Sequence, residues 1–261
     1  MLVTHDFISK TQSKFITNLK TNLSLGSVII HTDFSENYAF VAQDAAQAFH
    51  YNNSQCTVHP VVCYYKNYEG ETCHNSFVLL SDCTTHDTVA VYVMQKLVTP
   101  EIKKIYPNLK RIIYVSDGAK QHYKNKYRMC NLIRHEEDFG VKADWHFHAT
   151  AHGKGACDGV GAILKKEATR ASLQAQPNDA ILTPESLYLW ANRKFNNLRV
   201  MYYDEKEHGK TERFLNKRFS EAPKVDKISI GHAFMPSVLP GKILQILQYS
   251  GSKKSINNVQ Y

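Results

Sequence analysis

The chain has 261 residues, 43% of them hydrophobic, and carries 32 Lys and Arg against 24 Asp and Glu, a formal net charge of +8 at pH 7. That length can bury one large core or two small ones. No run approaches the roughly 20 apolar residues of a membrane span, and the polar, Lys-containing N-terminus lacks the apolar centre of a signal peptide, so the expectation is a soluble intracellular protein with no membrane partner. The basic excess favours a polyanionic partner as a class without identifying one. Cys56, Cys63, Cys73, Cys83, Cys130 and Cys157 form no CxxC pair and several sit in apolar runs, which fits reduced thiols.

In chain order, Phe7, Ile8, Phe15, Ile16 and Leu19 recur at helical spacing and predict an N-terminal amphipathic helix within residues 1–24. Gly26 to Asp33 is a short apolar run bounded by Gly and a polar cluster, the pattern of a buried strand. Thr57 to Tyr65 and Ser76 to Leu80 repeat it, and Asn67 to Gly70 punctuates them, so the first three strands should form an antiparallel meander. Val89, Val93, Leu97 and Ile105 then predict a helix that stops near Pro107. Arg111 to Ser116 reads as a fourth strand ending on Asp117-Gly118, followed by a Lys-rich helical stretch through His135 that closes at Phe139-Gly140. Lys142 to Ala149 reads as a fifth strand. A loop carrying Gly153 and Gly155 leads from it to a helix from about Cys157 to Leu173.

Past residue 180, Thr183 and Pro184 open another helix as cap and first residue, and Arg199 to Tyr203 and Lys227 to Ile230 are short strand candidates around the charged stretch Asp204 to Arg218. Three sequential strands followed by strand–helix alternation predict an α/β fold: a mixed five-stranded sheet flanked by helices over residues 25–180, in the order of a ribonuclease-H-like fold, with a C-terminal α+β extension over 181–261.

Three aspartates stand at ends of these elements: Asp33 after the first strand, Asp117 after the fourth, and Asp158 opening the helix after the fifth. In the expected sheet the first and fourth strands lie side by side and parallel, so all three carboxylates converge on one crevice. Three carboxylates suit two divalent ions about 3.5–4 Å apart, one activating an attacking water or 3′-hydroxyl and the other stabilising the leaving oxygen. Each Asp taken alone is equally explained as a turn residue or a helix cap. Strand alternation puts His31 on the face of Asp33, either near the site or as a half-buried structural residue, and Glu36 is either a further ligand or a surface helix cap.

From Lys103 to Arg128 there are eight basic residues and one acidic one, Asp117. Lys120, Lys124 and Lys126 could grip phosphates, with Tyr123 available to a base or sugar; a solvated helix face is the alternative. His152 and Lys154, in the Gly-rich loop beside Asp158, are further candidates for nucleic-acid contact. His146, His148, His152, Cys157 and Asp158 are dense, but their spacing matches no closed structural zinc site.

The segments His31-Thr-Asp-Phe-Ser-Glu-Asn-Tyr38, Ser116-Asp-Gly-Ala119 with Tyr123-Lys-Asn125, and His152-Gly-Lys-Gly-Ala-Cys-Asp-Gly159 resemble those of transposon-derived animal proteins that are similar to the DDE/DDD transposase catalytic domain. The resemblance runs from about residue 25 to 195. It implies a ribonuclease-H-like fold, two Mg²⁺ or Mn²⁺ ions, DNA cleavage and strand transfer, and Asp33, Asp117 and Asp158 as catalytic and metal-binding residues. It also implies transposon ends and target DNA as partners, assembly as a homo-oligomer, and a nuclear location. The sequence departs from the pattern where Gln would be expected at His122, Phe at His148 and a second Gly at Ala162. Because many related enzymes use Glu as the third acid, Glu167 is an alternative to Asp158. A nuclease that cuts without joining and a catalytically silent DNA-binding protein remain the alternatives to an active transposase.

Overall fold

The computed structural model describes residues 2–41, 54–148, 155–176, 179–237 and 241–261. The N-terminal helix α1 covers Leu2–Thr21, and the first buried strand β1 covers Ser27–Thr32. After the short β2 (Tyr38–Ala39) come β3 (Gln55–Lys66) and β4 (Thr72–Ser81). β1 pairs antiparallel with β3 and β3 with β4, which is the expected meander, with β2 as an added two-residue flap on β3. Asp87 caps helix α2 (Thr88–Ile105) by accepting a hydrogen bond from the Ala90 amide at 2.8 Å.

Strand β5 (Arg111–Ser116), helices α3 (Lys126–Ile133) and α4 (His135–Phe139), strand β6 (Lys142–Phe147) and helix α5 (Ala156–Gln174) follow. Gly140 ends α4 with φ +64°, the left-handed conformation that a helix stop of this type needs and that glycine adopts most readily. β1 pairs parallel with β5, and β5 with β6. The central strands therefore run β4-β3-β1-β5-β6, a mixed α/β sheet of the ribonuclease-H-like class.

The extension joins this sheet at both edges. After helix α6 (Pro184–Lys194), β7 (Leu198–Tyr203) pairs parallel with β4; after helix α7 (Glu205–Ser220), β8 (Ala233–Pro236), β9 (Ile243–Leu247) and β10 (Asn257–Gln260) continue antiparallel from β6. The described residues thus contain ten strands rather than five. The strand expected at Lys227 to Ile230 is instead a turn in which Lys227 has φ 62° and the Ile230 amide bonds back to its carbonyl, a conformation that cannot extend. No helix among the described residues is long and apolar enough to cross a membrane.

Alternation along the strands divides the core. Val28, Ile30, Ile112, Tyr114 and Trp145 face α2 and α3, while Ile29, Ile113 and Val115 face Ile16 and Leu23 of the α1 segment. Further along that sheet, Val58, Val78, Leu80 and Val200 pack on Leu164, Ala168, Leu187 and Ala191 of α5 and α6.

Candidate catalytic site

The 84 residues between Asp33 and Asp117 have a structural meaning. Ser27 lies opposite Arg111 and His31 opposite Val115, an offset of 84 (111 minus 27). The first residue beyond β1 and the first beyond β5 therefore stand in matching positions at the C-terminal ends of two neighbouring parallel strands. β6 adds His148 to this row: its amide donates to the Ser116 carbonyl at 2.9 Å.

Pro60 helps release Asp33 from the sheet. The Asp33 amide donates to the Pro60 carbonyl at 3.4 Å, but Pro60 has no N–H to return, so the regular pairing of β1 with β3 stops at Thr32. The third aspartate arrives on α5. Cys157, Gly161, Leu164 and Ala168 bury one face of that helix, and the Cys157 thiol donates to the His31 carbonyl at 3.3 Å. A Cβ at Gly161 would stand 3.2 Å from both Pro60 Cγ and Ser35 Oγ, so a small residue there lets the helix lie against the end of β1. Lys165 Nζ donates to the Glu36 carbonyl at 3.1 Å. Glu36 itself is exposed and lies in an irregular stretch, not at the helix start expected of a cap.

The carboxylates feel one another. Burial, reinforced by the charges of Asp117 and Asp158, pushes the Asp33 carboxyl up to about 7, while the Phe34 amide pulls the other way. Asp117 accepts from the Ala119 amide at 3.2 Å, and Asp158 accepts from the Gly155 amide at 2.8 Å. Glu167 lies elsewhere on α5, its carboxylate 3.7 Å from Lys194 Nζ. Among the described residues, no three His, Cys, Asp or Glu side chains form a ready-made ion-holding group. Asp33, Asp117 and Asp158 are the candidate ligands for a divalent cation, which would offset the burial and the mutual repulsion that raise the Asp33 pKa.

Beside the aspartates is an aromatic layer that sequence reasoning missed. Phe34 is stacked between His59 (centroids 3.8 Å apart) and His86 (4.4 Å), with His122 edge-on at 4.9 Å. His59 Nε2 lies 2.7 Å from Thr32 Oγ1 and 3.0 Å from the Tyr123 hydroxyl, and His86 Nε2 lies 2.8 Å from Asn37 Oδ1. His122 Nε2 stands 3.9 Å from Asp117 Oδ1; burial lowers the pKa of this ring and Asp117 opposes that shift. These residues come from four separate stretches, so only the Asp33-Phe34 adjacency was visible in sequence.

The basic segment after Asp117 is less available than expected. Tyr123 is fully buried, held by His59 and Thr32 at the centre of the layer, and offers no face to a base or sugar. Lys124 is buried as well, donating to the Ser229 carbonyl at 3.0 Å over the Phe147 ring; burial and the neighbouring Lys120 bring its pKa down to about 8. Lys126 is half-buried, its Nζ 3.5 Å from the Ala222 carbonyl. Of the three lysines, only Lys120 is exposed. His152 and Lys154 lie outside the described residues.

His31 is buried, with its ring against Tyr64 and His148. Burial, Lys20 and His148 hold its pKa down at about 3, so the ring is neutral. His146 is also buried, stacked on Phe15 and bonded to Ser250 Oγ at 2.6 Å. An apolar cleft of about 620 Å³ between α2 and α7, lined by Tyr92, Phe139 and Phe214, shares no residue with this site.

No curated protein and no solved structure matches the chain. A family model described as a domain of unknown function, DUF8701, matches residues 12–250, from within α1 to just past β9. The match takes in the sheet, all three aspartates and most of the C-terminal extension, and the chain belongs to the DUF8701 family.

Proposed function

We propose that this protein is a transposase-like polynucleotidyl transferase acting on DNA, with Asp33, Asp117 and Asp158 as its catalytic carboxylates. One observation carries the reading: Asp33 and Asp117 end neighbouring parallel strands in matching positions, and α5 delivers Asp158 close enough to contribute to the raised pKa of Asp33. The resemblance of the three motif segments to transposon-derived proteins points the same way, and the net charge of +8 suits a polyanionic substrate.

The aspartates would hold two Mg²⁺ or Mn²⁺ ions, which supply an activated oxygen nucleophile and charge stabilisation for displacement at phosphorus. The chain's own residues do the rest. Pro60 ends the pairing of β1, Gly161 lets α5 lie against that end, and the Phe34 layer keeps water from one side of Asp33. The Ala119 amide orients Asp117, with His122 beside it at 3.9 Å.

The test is Mg²⁺- or Mn²⁺-dependent cleavage of a labelled DNA duplex by the purified chain, with Asp117→Asn alongside. Cutting lost in the variant supports the reading and leads to an assay for joining; cutting without joining would make the protein a nuclease. An uncut duplex that still binds in a salt-sensitive way would make it a DNA-binding protein without catalysis.

A further inference from the structure

On the α1 side of the sheet the core is not closed. Ile16 and Leu23 pack on Ile29 and Ile113, but toward the C-terminal end of β1 a cleft of about 640 Å³ opens between the helix and the sheet. Lys10, Lys14 and Lys20 line it from α1, with His31 and His148 opposite. The helix is held in place by Gln12, which is 1% exposed: its amide nitrogen donates to the Phe147 carbonyl at 2.6 Å, and its amide oxygen accepts from the Ser250 amide at 2.6 Å. The cleft is therefore built into the docking of α1.

Its lining lacks a counterpart. His31 is 6% exposed, yet its Nε2 has no hydrogen-bond partner among the described residues. That nitrogen is itself covered, so His31 meets the cleft as a ring wall and not as an open donor. Lys14 has no carboxylate partner among the described residues. The Lys20 ammonium lies over the Tyr64 ring at 4.1 Å, and only Lys10 is paired, with the exposed Asp6 at 2.8 Å. The Gly155 amide, at the far end of the cleft, is already taken by Asp158. What Lys14 and Lys20 lack among the described residues is an anionic counterpart in the cleft.

We propose that this cleft is a phosphodiester channel, in which a nucleic-acid strand lays its backbone between α1 and His31. Lys14 and Lys20 offset the phosphate charge, with His31 and His148 as the facing wall. His148 lines the cleft and lies one strand from Asp117, so the channel leads to the aspartates. The inference rests on the proposed nucleic-acid substrate, but it does not depend on metal chemistry.

The test uses the full chain in EDTA with a fluorescein-labelled eight-nucleotide single-stranded DNA. The double variant Lys14→Glu/Lys20→Gln should weaken binding about 10-fold or more and flatten the log–log salt dependence by about 0.7 per lost phosphate contact. Lys206→Gln, on exposed α7, should stay within about twofold of the parent. Addition of the oligonucleotide should also shift the His31 imidazole ¹⁵N resonances. Unchanged affinity in the double variant together with unshifted His31 signals would overturn the channel while leaving the DNA reading intact. A His31 shift with inorganic phosphate alone, and none with the oligonucleotide, would overturn the phosphodiester assignment in favour of a small-anion site. Absence of both oligonucleotide binding and metal-dependent cutting would overturn the channel and the proposed function together.

Discussion

The two faces of β1 and its neighbours end in opposite ways, and two buried histidines show it. His59, on β3 just beyond the end of its pairing with β1, is covered by Phe34 and bonded through Nε2 to Thr32 and Tyr123. His31, one residue earlier than Thr32, turns to the other face and lines an open cleft. Among the described residues each ring leaves one covered nitrogen unpaired, Nδ1 of His59 and Nε2 of His31. Burial and an unpaired nitrogen therefore do not distinguish the two rings; what each ring faces does. The closed side packs around the residue that follows Asp33, and the open side leaves the cleft beside α1.

Substitutions should separate the two sides. The largest stability loss is expected from Phe34→Ala, which removes the ring between His59 and His86 and should cost about 2–3 kcal/mol in urea unfolding. Tyr123→Phe keeps the packing but leaves His59 Nε2 with one partner fewer, for about 1–2 kcal/mol. A smaller effect of opposite sign is expected at the aspartates. Asp33 titrates at about 7 in the folded chain against 3.8 ordinarily, so between those values the folded state holds the extra proton and stability falls as pH rises. Above pH 7 the charged carboxylate is a net cost. Discounted for the partial exposure of Asp33, Asp33→Asn should be more stable than the parent by about 1 kcal/mol at pH 8, a gain that vanishes toward pH 4. Mg²⁺ at pH 8 should raise the melting temperature of the parent and not of Asp33→Asn. The smallest effect belongs to the open side: Lys14→Glu should leave stability within about 0.5 kcal/mol, since Lys14 is exposed and has no ion-pair partner among the described residues. A loss above about 2 kcal/mol there would mean that the cleft wall is structural rather than available.

Much of the central sheet could be read from sequence because its signals are local. Apolar runs bounded by Gly and Asn mark β1, β3 and β4, and the change of period at Asp87 marks α2. The edges were less legible. β7 resembles an ordinary short strand, and nothing in it names β4 as its neighbour; β8 to β10 are four or five residues each, too short to show alternation. At the site, Asp33 and Asp117 could be paired because a parallel register fixes one offset along two strands. The histidine layer could not, since residues 34, 59, 86 and 122 meet only after the chain has passed through β3, β4, α2 and β5. Tyr123 misled for a related reason: among lysines it looks like a surface aromatic, but the turn before α3 points it inward.

Gln12 adds a constraint in time. It joins α1 to Ser250, 238 residues away, and to Phe147, 135 residues away. During synthesis the first helix leaves the ribosome long before either partner exists, and closing loops of that length comes late in folding. Until the last strands have paired, α1 cannot take its final seat, and the apolar side meant for Ile29 and Ile113 is left without its cover. A segment made before both of its partners is thus among the last to be fixed in place.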